Sequence, residues 1–159
     1  MAADIFAKIG DIKGESPDDK HKGEIEILSW SWGVANTGSH STGGGGGTGK
    51  ASFSDLAFTH KIDKASPLLL KACASGQHIK EATITRRKAG KGQQEFLIIK
   101  MNDVIVTSVA ESDASGGDQM ESVTLAFAKV DLEYKPQKPN GTLDAGLHFK
   151  YDIKANKDA

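Results

Sequence analysis

Apolar and polar residues alternate along most of this chain, and in two long stretches the alternation changes phase partway. Period-two runs bounded by turn residues predict strands near residues 4–9, 24–34, 51–60, 79–88, 94–101, 104–110, 120–134 and 145–153. About eight short strands with few prolines fit a mainly β fold, an antiparallel barrel or a sandwich. One helix interrupts the pattern. Ser66 is placed to cap it, Pro67 suits its first turn, and the run Leu68-Leu69-Leu70-Lys71-Ala72-Cys73-Ala74 stops at Gly76. Its leucines predict a flanking helix that plugs an open end of the barrel or covers one side.

The phase changes carry more than the strand count. In residues 24–33, Ile25 and Ile27 face away from Glu24 and Glu26, but Leu28, Trp30 and Trp32 then take the other parity, opposite Ser29, Ser31 and Gly33. The long strand repeats this. Val123, Leu125 and Phe127 share one side, and Val130, Leu132 and Tyr134 the other. Side chains alternate strictly along a strand, so each switch requires a bulge or two halves that face different cores. Residues 96–109 are apolar on both faces, which predicts a second cover: the helix, another part of the chain, or a neighbouring subunit.

At 159 residues the chain fits one domain, residues 1–159. A net charge of −1 offers no bulk attraction to nucleic acid or anionic membrane, and neither partner is expected. The first ten residues lack the pattern of a secretory signal, and no stretch reaches membrane-spanning length, so synthesis in the cytoplasm is expected. Cys73 is the sole cysteine, which excludes an internal disulfide and suits a small packed apolar residue.

One loop tests a nucleotide function. Gly44-Gly45-Gly46-Gly47-Thr48-Gly49-Lys50 satisfies G-x-x-x-x-G-K, but Ala51 stands where a magnesium-binding hydroxyl is needed, and residues 52–60 suit a strand instead of a phosphate-binding helix. Five histidines, His21, His40, His60, His78 and His148, show no metal-ligand spacing, and no serine sits in a nucleophile elbow. Neither a cofactor nor an enzymatic activity is expected. The basic run Arg86-Arg87-Lys88 lies between two strands and predicts a solvated hairpin tip. Asn140-Gly141 after Pro139 is a turn.

The order Lys8-Ile9-Gly10-Asp11-Ile12-Lys13-Gly14-Glu15-Ser16, Ser29-Trp30-Ser31-Trp32-Gly33, the glycine loop, Asp55-Leu56-Ala57-Phe58-Thr59, Cys73-Ala74-Ser75-Gly76 and Val123-Thr124-Leu125-Ala126-Phe127 resembles the haemolysin-coregulated protein (Hcp) family of bacterial type VI secretion systems. The resemblance spans the chain. It implies a barrel with a flanking helix that assembles as a hexameric ring, rings that stack into a tube, export by a contractile sheath with a spike, and small effector proteins held in the lumen. Phe149-Lys150-Tyr151-Asp152 departs from it, because a tryptophan is expected in that last strand, and the chain ends soon afterwards without a fused toxin domain. On this resemblance Ser29, Ser31 and Gly33 are expected to line the lumen, with Trp30 and Trp32 facing the core. Gly43, Gly44, Gly45, Gly46, Gly47, Thr48, Gly49 and Lys50 are expected to form a ring-stacking loop. The competing classes are a carbohydrate-binding β-sandwich, which should expose a tryptophan in a groove, a hydrolase, and a monomeric adaptor.

Overall fold

A computed structural model of the chain describes residues 3–38, 50–89 and 92–159. The strands are β1 (Ala3–Ile9), β2 (Ile25–Glu26), β3 (Ser29–Ser31), β4 (Val34–Asn36), β5 (Ala51–Phe53), β6 (Leu56–Lys61), β7 (His78–Lys88), β8 (Glu95–Ser112), β9 (Met120–Tyr134), β10 (Leu147–Asp152) and β11 (Lys157–Asp158), with helix α1 (Ser66–Ser75) between β6 and β7. All pairings are antiparallel. The main sheet runs β11-β10-β9-β8-β7-β1-β2, with β6 beside β9 and β3 beside β6, while β4 and β5 form a separate hairpin.

The ladder does not close into a complete barrel. Residues 25–31, expected as part of one strand, are cut in two: β2 pairs with β1, and β3 pairs with β6. The cut is what the parity switch requires. Ile25 and Ile27 are buried on the β1 side, and Leu28 at the junction is 53% exposed. In β9 the partner changes instead of the strand: residues 120–125 pair with β6 and residues 129–134 with β10. Opposite this corner Asp103 takes φ +56, a left-handed conformation uncommon outside glycine, so one residue turns the strand face over. Thus Ile99 and Met101 are buried before it and Val104 and Val106 after it. Residues 94–101 and 104–110, expected as two strands, are the single strand β8.

The second face of β8 is covered in part from within the chain. Helix α1 packs on β8, burying Leu69 and Ala72 while Leu68 and Leu70 stay 46% and 41% exposed. Gly76 ends the helix at φ +64, and its N–H, with that of Gln77, reaches back to the last-turn carbonyls of Cys73 and Ala72. The start is a correction. Ser66 is the first helical residue, and Ala65 sits before it without a side-chain cap. The Asp63 carboxylate accepts from the Ala65 N–H and the Ser66 hydroxyl accepts from the Asp63 N–H, so the preceding turn is braced instead.

The basic run is also corrected. β7 continues through Lys88, and Arg87 is 2% exposed, with its guanidinium 4.8 Å from the Phe6 ring and donating to Asp4 and Asp18. His21 stacks on Phe6 at 4.4 Å and hydrogen-bonds Glu24 and Glu95. Charges spaced along a strand alternate faces, and that spacing sends Arg87 inward beneath the 10–24 loop. Hydrogen bonding from Arg87 holds the Asp18 carboxyl down at about 2. The same loop makes one glycine indispensable: a Cβ on Gly14 would lie 2.6 Å from the Glu24 carbonyl oxygen and 2.8 Å from the Ile25 Cα, both backbone atoms. Gly14→Ala is expected to cost about 1–3 kcal/mol by overpacking, read as a lowered denaturant midpoint with unchanged m-value.

Candidate functional site

The outward face of β3, β6, β9 and β8 carries small, uncharged side chains in register. One row across the four strands reads Ser29, Thr59, Ser122, Ala110, and the next reads Ser31, Ala57, Thr124, Ser108. The opposite face holds Leu56, Phe58, Val123 and Leu125, all 1% exposed or less. Alternation therefore builds the surface: in these two rows the residues that point out are serine, threonine or alanine while their neighbours in sequence fill the core, and Lys61 with Met120 ends the face in the next row.

Hydrogen bonding fixes the orientation of these hydroxyls. Ser29 and Thr59 bond across β3 and β6 at 2.6 Å. A register shift between Val106 and Ser108 sets Thr107 and Ser108 together against Thr124, at 2.7 and 2.6 Å. Thr107 donates its one hydroxyl proton to the Asp55 carboxylate at 2.6 Å. A hydroxyl has a single proton, so Thr124 donates to Thr107 and Ser108 donates to Thr124. The chain Ser108, Thr124, Thr107, Asp55 is directional, and it holds the face in one hydrogen-bonded arrangement.

Ser29 and Ser31 are exposed on this face, as is Gly33 just beyond β3, while Trp30 and Trp32 are half-buried against the core. Neither tryptophan stands free in a groove as a sugar-binding platform would. Ala57, Thr59, Thr107, Ser108, Ala110, Ser122 and Thr124 complete the face, and sequence reasoning did not single them out. Their signal was present only as small residues at alternate positions in strands whose pairing is long-range.

Gly33 is also a pivot. Its N–H donates to the Ser54 hydroxyl and its carbonyl accepts from the Ser54 N–H, and from that point the β4–β5 hairpin projects. Trp32 and Phe53 at the hairpin base meet Phe127, Phe149 and Tyr151, with ring centroids 5.1–6.4 Å apart in neighbouring pairs. The residues that stand where a tryptophan was expected therefore supply the packing for the hairpin. Of the expected stacking loop, Gly43, Gly44, Gly45, Gly46, Gly47, Thr48 and Gly49 lie outside the described residues. Lys50 is described and exposed, and Ala51 beyond it opens β5, a strand and not the helix a phosphate cradle needs.

Among the described residues no group of three or more histidine, cysteine, aspartate or glutamate side chains is placed to hold a metal ion. Also among them, no helix is long and apolar enough to cross a membrane.

Known proteins share this architecture. The family model described as "Type VI secretion system effector, Hcp" matches residues 6–134. Protein hcp1 of Pseudomonas aeruginosa is 48% identical over 162 residues, covering 100% of both chains. The crystal structure of Hcp1 from Salmonella typhimurium superposes with a TM-score of 0.80 at 42% identity, covering 100% of both chains. A structure described as a type six secretion system protein superposes with a TM-score of 0.94 at 33% identity, covering 99% of this chain and 100% of that one.

Proposed function

The chain belongs to the Hcp family of type VI secretion proteins, and from that premise we propose that it is a secreted structural subunit: six copies close a ring, rings stack into a tube, and the hydroxyl-rich face lines the lumen and holds small effector proteins for export. The observation that carries the lining is the pair of registered rows on β3, β6, β9 and β8. A wall that must hold differing cargo needs weak, charge-neutral contacts, and it must not present an apolar patch that would seal against one partner. Preformed hydroxyl chains meet both needs, because the polar groups satisfy one another when the lumen is empty.

The geometry also sets a size. Strands lie about 4.8 Å apart, so if six copies set these four strands side by side around an axis, 24 strands give a wall roughly 37 Å across between backbones. A 100-residue globular domain has a radius of gyration of about 13 Å, or a diameter near 34 Å. Short lining side chains keep the bore open to cargo somewhat smaller than that, and long ones would close it further. Head-to-tail contact, one surface of each subunit against a different surface of the next identical subunit, is the interface type that closes such a ring. The subunit makes and breaks no bond on this reading. The work of export falls to the sheath and spike with which it associates.

Stacking is assigned to the loop carried by the β4–β5 hairpin. The aromatic base fixes where the hairpin leaves the domain, and the glycines impose an ordering cost on contact with the next ring. Removing three of the glycines at 43–47 is expected to impair tube growth while rings still form, scored by electron microscopy and sedimentation of the same preparation. Equal loss of rings and tubes contradicts the division of roles.

A further inference from the structure

Behind the hydroxyl-lined face lies a group of ionisable side chains that neither the wall nor the hairpin uses. His60 on β6 and Glu121 on β9 are directly paired in register and both 0% exposed. His60 Nε2 lies 2.7 Å from Glu121 Oε1. Each partner keeps one buried polar atom without a hydrogen bond, His60 Nδ1 and Glu121 Oε2. Such orphans are costly in a core, and their surroundings are informative here. Nδ1 lies 3.8 Å from Asp63 Oδ2 in the turn that braces the start of α1. Glu111 of β8 stands opposite Glu121 in register, and its carboxyl opposes ionisation of Glu121.

The charged and titratable groups facing the site are Glu121 from β9, Glu111 from β8, His60 from β6, and Asp63 before α1, with Glu15 of the 10–24 loop acting on Asp63. Ser66 of α1 adds a hydroxyl. Two carboxyls, Glu121 and Asp63, thus flank one imidazole, and each has a further carboxyl acting on it. A proton on Asp63 Oδ2 would aim a donor at His60 Nδ1, and a proton on Glu121 Oε2 would aim one at Glu111. The two protons would sit beside the two orphaned atoms.

We propose that His60, Glu121, Asp63 and Glu111 form a two-proton latch that fastens the start of α1 to β6, β9 and β8 more firmly as the surroundings turn mildly acidic. Burial, the largest cause in each case, raises Glu121 above its ordinary 4.5 and Asp63 above its ordinary 3.8. A carboxyl raised in the folded state contributes stability that is complete below its unfolded value and fades as pH rises through its folded value. Stability due to the latch therefore grows on acidification from neutrality toward those ordinary values. Asp18, held at about 2, acts in the opposite direction and only at lower pH.

The test is the melting temperature of the purified full chain between about pH 8 and about pH 5, beside Glu121→Gln and Glu111→Gln. The amide in Glu121→Gln mimics the protonated acid, keeping an acceptor for His60 Nε2 and offering a donor to Glu111. Each tenfold difference in proton affinity between folded and unfolded chains is worth about 1.4 kcal/mol, or about 3–5 °C in a domain of this size. Wild type is expected to melt higher at pH 5 than at pH 8, and Glu121→Gln to start higher at pH 8 and lose most of the gain. Glu111 is exposed, so Glu111→Gln will fold even where the buried change does not, and it is expected to halve the gain. A wild-type profile that is flat or falls toward pH 5, or a Glu111→Gln profile parallel to wild type, overturns the latch.

Discussion

Replacing Ser31 with arginine is expected to abolish cargo retention while leaving ring mass and thermal stability unchanged. Ser31 is exposed on β3 and among the described residues its side chain makes no hydrogen bond, so a surface change there costs about 0.5 kcal/mol or less in stability. Across the sheet it is followed in its row by Ala57 and Thr124, both small, so a long side chain at position 31 would extend outward from the proposed lining. A ring repeats the substitution six times. A loss of about 0.5 kcal/mol per subunit would total about 3 kcal/mol, or roughly a hundredfold in affinity. The check is co-purification of an effector of the same secretion system with wild-type and substituted rings, alongside sedimentation of the empty rings. Unchanged retention removes Ser31 from the lining, and Ser29→Arg then decides whether any of the first row remains in it.

The second large effect is expected in the core directly behind this surface. Phe58 is 1% exposed, pairs with Trp30 in register on one side and Val123 on the other, and sits one residue from each of Ala57 and Thr59 on the hydroxyl face. Phe58→Ala removes a ring that β3, β6 and β9 all pack around, at about 3–5 kcal/mol. That corresponds to a fall of about 10 °C in melting temperature for a chain of this length. Because β3 and β6, which carry Ser29, Ser31 and Thr59, pack through this ring, cargo retention should fall with stability. A stable Phe58→Ala protein with intact retention would show that the face is positioned by something else, such as the neighbouring subunit. Urea unfolding of the variant and wild type at equal protein concentration provides the comparison, since any assembly makes stability concentration-dependent.

Local signals carried the fold a long way. Pro67 and Gly76 bracketed α1 because each acts within a turn, and the parity changes after Ile27 and Phe127 marked the places where the sheet changes partner. Ser29 and Ser31 could be assigned an outward face because Trp30 and Trp32 occupy the other. What stayed hidden depends on pairing between distant segments. Thr59, Ser122 and Ser108 join one surface only through registers spanning dozens of residues, and the chain from Ser108 to Asp55 exists because of a register shift in β8. Arg87 looked like a solvated charge until Asp4, Asp18 and Phe6 were brought to it. His60 and Glu121, 61 residues apart, bore no spacing that would mark them as a pair. The mainly β, antiparallel class with one helix is as expected, while the barrel stays unclosed for a related reason: the switch at residues 27–28 was legible, but its resolution by separate partners for β2 and β3 was not.

The central claim is that this chain closes a ring around its hydroxyl-lined face. Its mass in solution, measured by native mass spectrometry or sedimentation over a range of concentrations, tests this most directly. The account predicts a particle of six 16.8 kDa subunits. A monomer that persists at high concentration would contradict it.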